Sequence, residues 1–180
     1  MLRKTPGPFK RSVRVIGFGG FGFAALCLTA VALGVRINTS YSLPMGLYIA
    51  TNDPAAFLIE FCPAGVFAKQ SSERGYRTPG FACADGAVPL LKQIVAREGD
   101  VVGMTPAGIE VNGTLLPKTM PLACDSYLRP LTAWRFGIYQ VEPGTVWVAS
   151  TYHPGSYDSR YMGPISMSQI RRRLKPLWVL

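Results

Sequence analysis

Ser40-Tyr41-Ser42-Leu43-Pro44-Met45-Gly46 divides this 180-residue chain into two unlike parts. Before it lies the one long apolar run; after it come short segments of β-branched and aromatic residues broken by Gly and Pro. Taken alone, Ser, Pro and Gly make an ordinary loop leaving a helix. The same stretch would also suit a nucleophilic serine, Ser42, held close to a membrane surface. The rest of the chain bears on which reading applies.

Working back toward the N-terminus, Val15 to Val35 carries no charge. Its length, at about 1.5 Å per residue, matches a bilayer core of roughly 30 Å. Arg3, Lys4, Lys10, Arg11 and Arg14 precede it and Arg36 follows. The bias of Lys and Arg toward the cytoplasm orients it with the N-terminus inside. The run is longer than the apolar part of a cleaved leader and ends in no small-x-small site, so a retained anchor is expected. Three regions follow: a basic cytoplasmic arm at 1–14, a transmembrane anchor at 15–35 and an exported domain at 36–180. The net charge of +9 is concentrated in the arm, with a second basic cluster at Arg171, Arg172, Arg173 and Lys175. With no zinc-finger spacing and one histidine, no nucleic-acid partner is expected.

Outside the anchor, Cys62, Cys83 and Cys124 face an oxidising compartment, leaving one unpaired if a bridge forms. Cys83 and Cys124 sit among Pro and Gly, and Cys62 within an apolar run. The expectation is a Cys83–Cys124 bridge with Cys62 buried and free; the alternative is no bridge at all. No two cysteines are closely spaced and His153 is alone, so neither a metal site nor a cofactor is expected.

Working forward, Gly46 to Ala50 reads as a strand. Phe57 to Ala68 reads as one or two more, broken by Pro63 and Gly65, and residues 69–89 as irregular. Leu90 to Ala96 is a strand, followed by a meander over Val101 to Met104, Gly108 to Gly113 and Thr114 to Leu116. Asn112-Gly113 is the strongest hairpin signal, since both residues accept positive φ. Residues 117–136 form a Pro-interrupted excursion, Gly137 to Gln140 and Thr145 to Ser150 two more strands, and Ser168 to Leu174 a short helix or a last strand. No 11-residue window beyond the anchor sustains a 3.6-residue apolar period. The fold class is therefore mostly β, with long irregular insertions, behind one N-terminal transmembrane helix.

A lone His153, in a Tyr-His-Pro-Gly turn, leaves little room for a Ser-His-Asp triad. A serine can instead be activated by a lysine kept neutral through burial. Lys92, in Pro89-Leu90-Leu91-Lys92-Gln93-Ile94-Val95, has apolar neighbours on both sides. It would equally suit an edge strand, where a charge discourages further pairing.

Three segments together resemble the type I signal peptidases: Ser42-Leu-Pro-Met-Gly46, Lys92-Gln-Ile-Val-Ala-Arg-Glu-Gly-Asp100 and Ser156-Tyr-Asp-Ser-Arg-Tyr-Met-Gly163. Their order behind a single anchor is closest to the TraF-type peptidases of conjugative plasmids. The resemblance implies a β peptidase core with an inserted irregular or β region, and makes 36–180 an exported serine peptidase domain. It implies Ser42 as nucleophile and Lys92 as general base. Ser40 would assist the Ser42 N–H in the oxyanion hole, and Ser156 would hydrogen-bond and aim the lysine. Asp158 and Arg160 would be the ordering ion pair, with Asp158 near enough to the centre to matter. An ordinary surface pair and a plain turn serine are the competing readings of those last residues.

The same resemblance implies a pilin-like precursor as substrate, with the possible joining of its new ends. It also implies the lipid bilayer and other conjugation or type IV secretion components as partners, and a single-pass position in the inner membrane with the catalytic domain in the periplasm. Three departures argue against a housekeeping signal peptidase of broad specificity: Tyr152-His-Pro-Gly155 stands where such enzymes carry Gly-Asp-Asn, Glu98 stands where they carry Pro, and the exported domain is small. A non-catalytic, single-pass scaffold subunit of a conjugation complex is the competing reading from another class.

Overall fold

The computed structural model describes Thr29 and residues 32–180. The arm at 1–14, nearly all of the proposed anchor at 15–35, and Cys27 lie outside the described residues. Among the described residues no helix is long and apolar enough to cross a membrane.

Val35, the last residue of the apolar run, opens strand β1 (Val35–Asn38), which pairs antiparallel with β2 (Gly46–Thr51). Thr39 to Met45 is thus the connection of a hairpin. Gly46 ends that connection for two reasons. Its φ of 147° is one that residues with a Cβ rarely adopt, and a Cβ there would stand 2.2 Å from the Trp178 carbonyl oxygen. The conformation and the close approach both need glycine.

From there the chain builds a seven-stranded antiparallel sheet. β3 (Leu58–Phe61) pairs with β4 (Leu90–Ala96), and β4 with β9 (Thr145–Ala149). β10 (Ile165–Ser166) closes one edge, and the long β11 (Ile170–Val179) inserts between β2 and β3, giving the order β1-β2-β11-β3-β4-β9-β10. Residues 168–174 thus divide between a 3-10 turn at Met167–Gln169 and the start of β11. A second sheet holds the expected meander, β5 (Val101–Thr105), β6 (Gly108–Val111) and β7 (Thr114–Leu115), joined by β8 (Gly137–Gln140) on the far side of β5. Asn112 and Gly113 turn the β6–β7 hairpin with φ of 49° and 80°, as their dipeptide signal predicts.

β4 contributes to three core clusters. Leu90 and Ile94 bury one face against Ile59, Phe61, Val148 and Tyr157. Leu91 packs with Leu43, Tyr48, Leu58 and Leu174. Ala96, at the end of β4, joins Trp147 and Ala149 in covering the smaller sheet.

Two expectations are corrected. The segment after Pro63 is a helix, α1 (Gly65–Glu73), rather than strand followed by irregular chain. It spans only nine residues and buries Ser71, whose hydroxyl donates to the Phe67 carbonyl at 2.6 Å. So short an element, with a polar residue innermost, leaves no apolar period to detect. The second correction concerns the bridge, which joins Cys62 to Cys83 and leaves Cys124 free, instead of joining Cys83 to Cys124 with Cys62 free. Cys62 directly follows β3. The loop carrying Cys83 doubles back on itself through the Pro79–Ala87 bridge, bringing the two Cα atoms within 5.7 Å. Cys124 is held elsewhere, paired through its backbone with Pro130.

Candidate active site

Lys92 stands on an interior strand, opposite Ile59 of β3, with its side chain 3 % exposed. The edge-strand reading of this lysine is therefore ruled out. Burial strips water from the ammonium and lowers its pKa from the ordinary 10.5 to about 8; Asp158 opposes this shift and Arg160 adds to it. Its Nζ donates to Ser42 Oγ at 2.6 Å. Residues 50 positions apart in sequence thus meet as a hydrogen-bonded Ser–Lys pair. His153, by contrast, is exposed, and its Nδ1 accepts from the Gly155 N–H at 3.0 Å.

The loop bearing Ser42 is held by its carbonyls. Asn38, buried at the end of β1, donates through Nδ2 to the carbonyls of Ser40, Leu43 and Pro44 at 3.1, 3.2 and 3.0 Å. Tyr48 adds its hydroxyl to the Pro44 carbonyl at 2.6 Å. The Ser42 carbonyl accepts from Ser150 Oγ, also at 2.6 Å. The Ser42 N–H has no hydrogen-bond acceptor among the described residues. Neither Asn38 nor Ser150 carries a motif, and Tyr48 reads only as a strand aromatic. Their roles depend on where β1, β2 and β9 end, which periodicity does not fix.

Asp158 and Arg160 are both fully buried, not an ordinary surface pair. Asp158 caps α2 (Ser159–Met162) and takes Arg160 Nε on Oδ1 and Nη2 on Oδ2, both at 2.9 Å. Burial opposes the Arg160 charge, but the carboxylate beside it outweighs that and holds the guanidinium above its usual pKa. Arg160 also reaches the carbonyls of Pro154 and Ser156 at 2.5 and 2.7 Å, tying down the loop in front of the motif. Asp158 Oδ2 further accepts the Ser150 N–H at 3.0 Å.

Two supporting serines differ from expectation. The Ser40 hydroxyl donates to Asn38 Oδ1 at 2.9 Å, so in this arrangement its proton is committed within the loop and not offered to an oxyanion. The Ser156 hydroxyl is buried and lines the same cleft, yet it has no hydrogen-bond partner among the described residues and does not hold Lys92. Its side chain reaches the right corner without closing the expected contact.

A cleft of about 610 Å³ opens over the pair, walled by Ile37, Val88, Leu90 and Leu122, with Cys124 and His153 along it. A largely apolar trough therefore lies beside a serine hydroxyl and a lysine amine of lowered pKa. Among the described residues no three His, Cys, Asp or Glu side chains converge as metal ligands.

This arrangement agrees with the family to which the chain belongs, signal peptidase, peptidase S26, matched across residues 18–178. Within that family it is closely related to the TraF-type conjugal transfer peptidases. It is 38% identical over 163 residues to a plasmid transfer protein TraF of Escherichia coli, covering 87% of this chain and 90% of that protein. A second Escherichia coli plasmid transfer protein TraF is 35% identical over 173 residues, covering 94% and 97%. A probable conjugal transfer protein TraF of Sinorhizobium fredii is 32% identical over 161 residues, covering 83% of each chain.

Proposed function

We propose that the protein is a membrane-anchored serine endopeptidase that removes the signal or pro-segment of a conjugative pilin precursor, with Ser42 as nucleophile and Lys92 as general base. The observation that carries this reading is the 2.6 Å hydrogen bond from a buried lysine to the serine hydroxyl. Membership of a signal-peptidase family and relatedness to conjugal transfer proteins support the protease chemistry and the conjugation setting.

In its neutral form Lys92 takes the Ser42 proton as Oγ attacks the scissile carbonyl. The unpaired Ser42 N–H is the donor available to the oxygen on which charge develops. The lysine ammonium then protonates the leaving amine, and the precursor's upstream part stays on Ser42 as an ester. Lys92, neutral again, deprotonates a water that attacks this ester and frees the enzyme. Where the segment removed is C-terminal, the chain held on Ser42 is the mature one, and attack on the ester by its own terminal amine instead of water joins its ends and gives a product lacking one water. The apolar run at 15–35 would hold Ser42 near the bilayer, where such a precursor presents its cleavage site.

The test is co-expression of a pilin precursor with the wild type, Ser42→Ala and Lys92→Ala, followed by mass measurement of the product. Each substitution should lower processing by at least roughly 10³-fold. Undiminished processing by both variants would leave the scaffold reading in place. A product 18 Da lighter than the linear mature chain, about one water, would add the joining step.

A further inference from the structure

We infer that Ser150 is a positioning residue that transmits the placement of the buried Asp158–Arg160 pair to the backbone of Ser42. This rests on the reading of Ser42 and Lys92 as nucleophile and base.

Ser150 follows β9, whose Ala149 pairs with Gln93 of β4. One further step of that antiparallel register sets Ser150 opposite Lys92, and directly opposed residues present their side chains to the same face. Ser150 is completely buried. A serine hydroxyl has one proton to give and two lone pairs. Here both acceptor positions are used, by the N–H groups of Tyr152 at 3.1 Å and His153 at 2.9 Å. The proton is therefore left to the Ser42 carbonyl at 2.6 Å. Meanwhile the Ser150 N–H is fixed on Asp158 Oδ2, the oxygen that also receives Arg160 Nη2.

A continuous chain of hydrogen bonds thus runs from Arg160 through Asp158 and Ser150 to the nucleophile's own carbonyl. Pinning that carbonyl fixes ψ of Ser42. With Asn38 holding the Ser40 carbonyl before it and the Leu43 and Pro44 carbonyls after it, the peptide that carries the free Ser42 N–H is restrained from both sides. The same clamp keeps the loop over Lys92. No hydrogen bond joins Asp158 to Lys92 among the described residues; apart from its through-space pull on the amine, the acid reaches the dyad along the Ser150 route.

The test uses the full-length chain with a fluorogenic signal-peptide substrate carrying alanine before the scissile bond. Ser150→Ala should keep KM within about threefold and lower kcat by roughly tenfold to a hundredfold. It should also move the acid limb of the kcat/KM profile to higher pH, because a loosened loop admits water to the lysine. A purely structural serine would not move that limb, so a kcat loss with the limb in its wild-type position overturns the inference, as does wild-type kcat. If Ser150→Ala does not fold, Ser150→Cys, of similar volume with a weaker donor, decides by the same two readings. Ser42→Ala and Lys92→Ala run alongside: activity in those variants sinks the dyad, whereas an inert dyad pair with a normal Ser150→Ala sinks only the coupling.

Discussion

Lys92 shows what burial does to a single charge. In water its amine would be almost wholly protonated at neutral pH and useless as a base. In the sheet interior its pKa falls to about 8, so a usable fraction is neutral near pH 7. The sign follows directly: protonation removes the base, so kcat/KM should rise with pH and level off above an acid limb centred near 8. A limb at 6.5 or below, measured with a peptide substrate whose own groups do not titrate there, would point to a histidine-like base instead. At this scale the sequence singled out Ser42 and Lys92, each in a short motif, and the fold brings the two within hydrogen-bond reach. The sequence was silent about Asn38 and Ser150, whose work is done on backbone carbonyls and leaves no pattern of residue types. It also overstated Ser40, since the spacing of a hydroxyl from the nucleophile says nothing of where its proton goes.

At the level of elements, strands with alternating or β-branched patterns were legible, and so was the Asn112-Gly113 turn. α1 was hidden because nine residues with a polar buried side chain give no period. The cysteines show a different limit: context sorts loop from strand, but pairing is a matter of distance across the fold. The Cys62–Cys83 bridge closes a segment of 21 residues, which contains α1 and the loop forming one rim of the cleft. Closing a loop of that size should stabilise the domain by about 3 kcal/mol through the unfolded chain's lost freedom. Replacing both cysteines with serine should therefore lower Tm by several degrees, and a non-reducing peptide map of the wild type should link Cys62 with Cys83. A map linking Cys124 to either would contradict the fold described here.

Over the whole molecule, the larger sheet carries the site and the smaller one braces it through Trp147 and Ala149. The basic N-terminal arm and the apolar run belong to the membrane part of the proposed function. Removing residues 1–31 should leave cleavage of a soluble peptide within about threefold, while processing of a membrane-borne precursor falls by roughly 10²-fold or more, as co-localisation on one plane is lost. Equal losses on both substrates would deny the run a tethering role.

The place of β11 has a consequence for how the enzyme comes into being. β2 and β3 do not pair with each other; among the described strands β11 alone spans them. Ser42 belongs to the hairpin on one side of it and Lys92 to the strands on the other. A chain still being synthesised carries its serine for more than a hundred residues before the strand that unites the two halves arrives. Such long-range closure is slow to nucleate, and until it happens the hydroxyl has no amine beside it. Under the proposed function the Ser42–Lys92 pair is thus assembled last, and a chain whose β11 has not yet docked is inert as a peptidase.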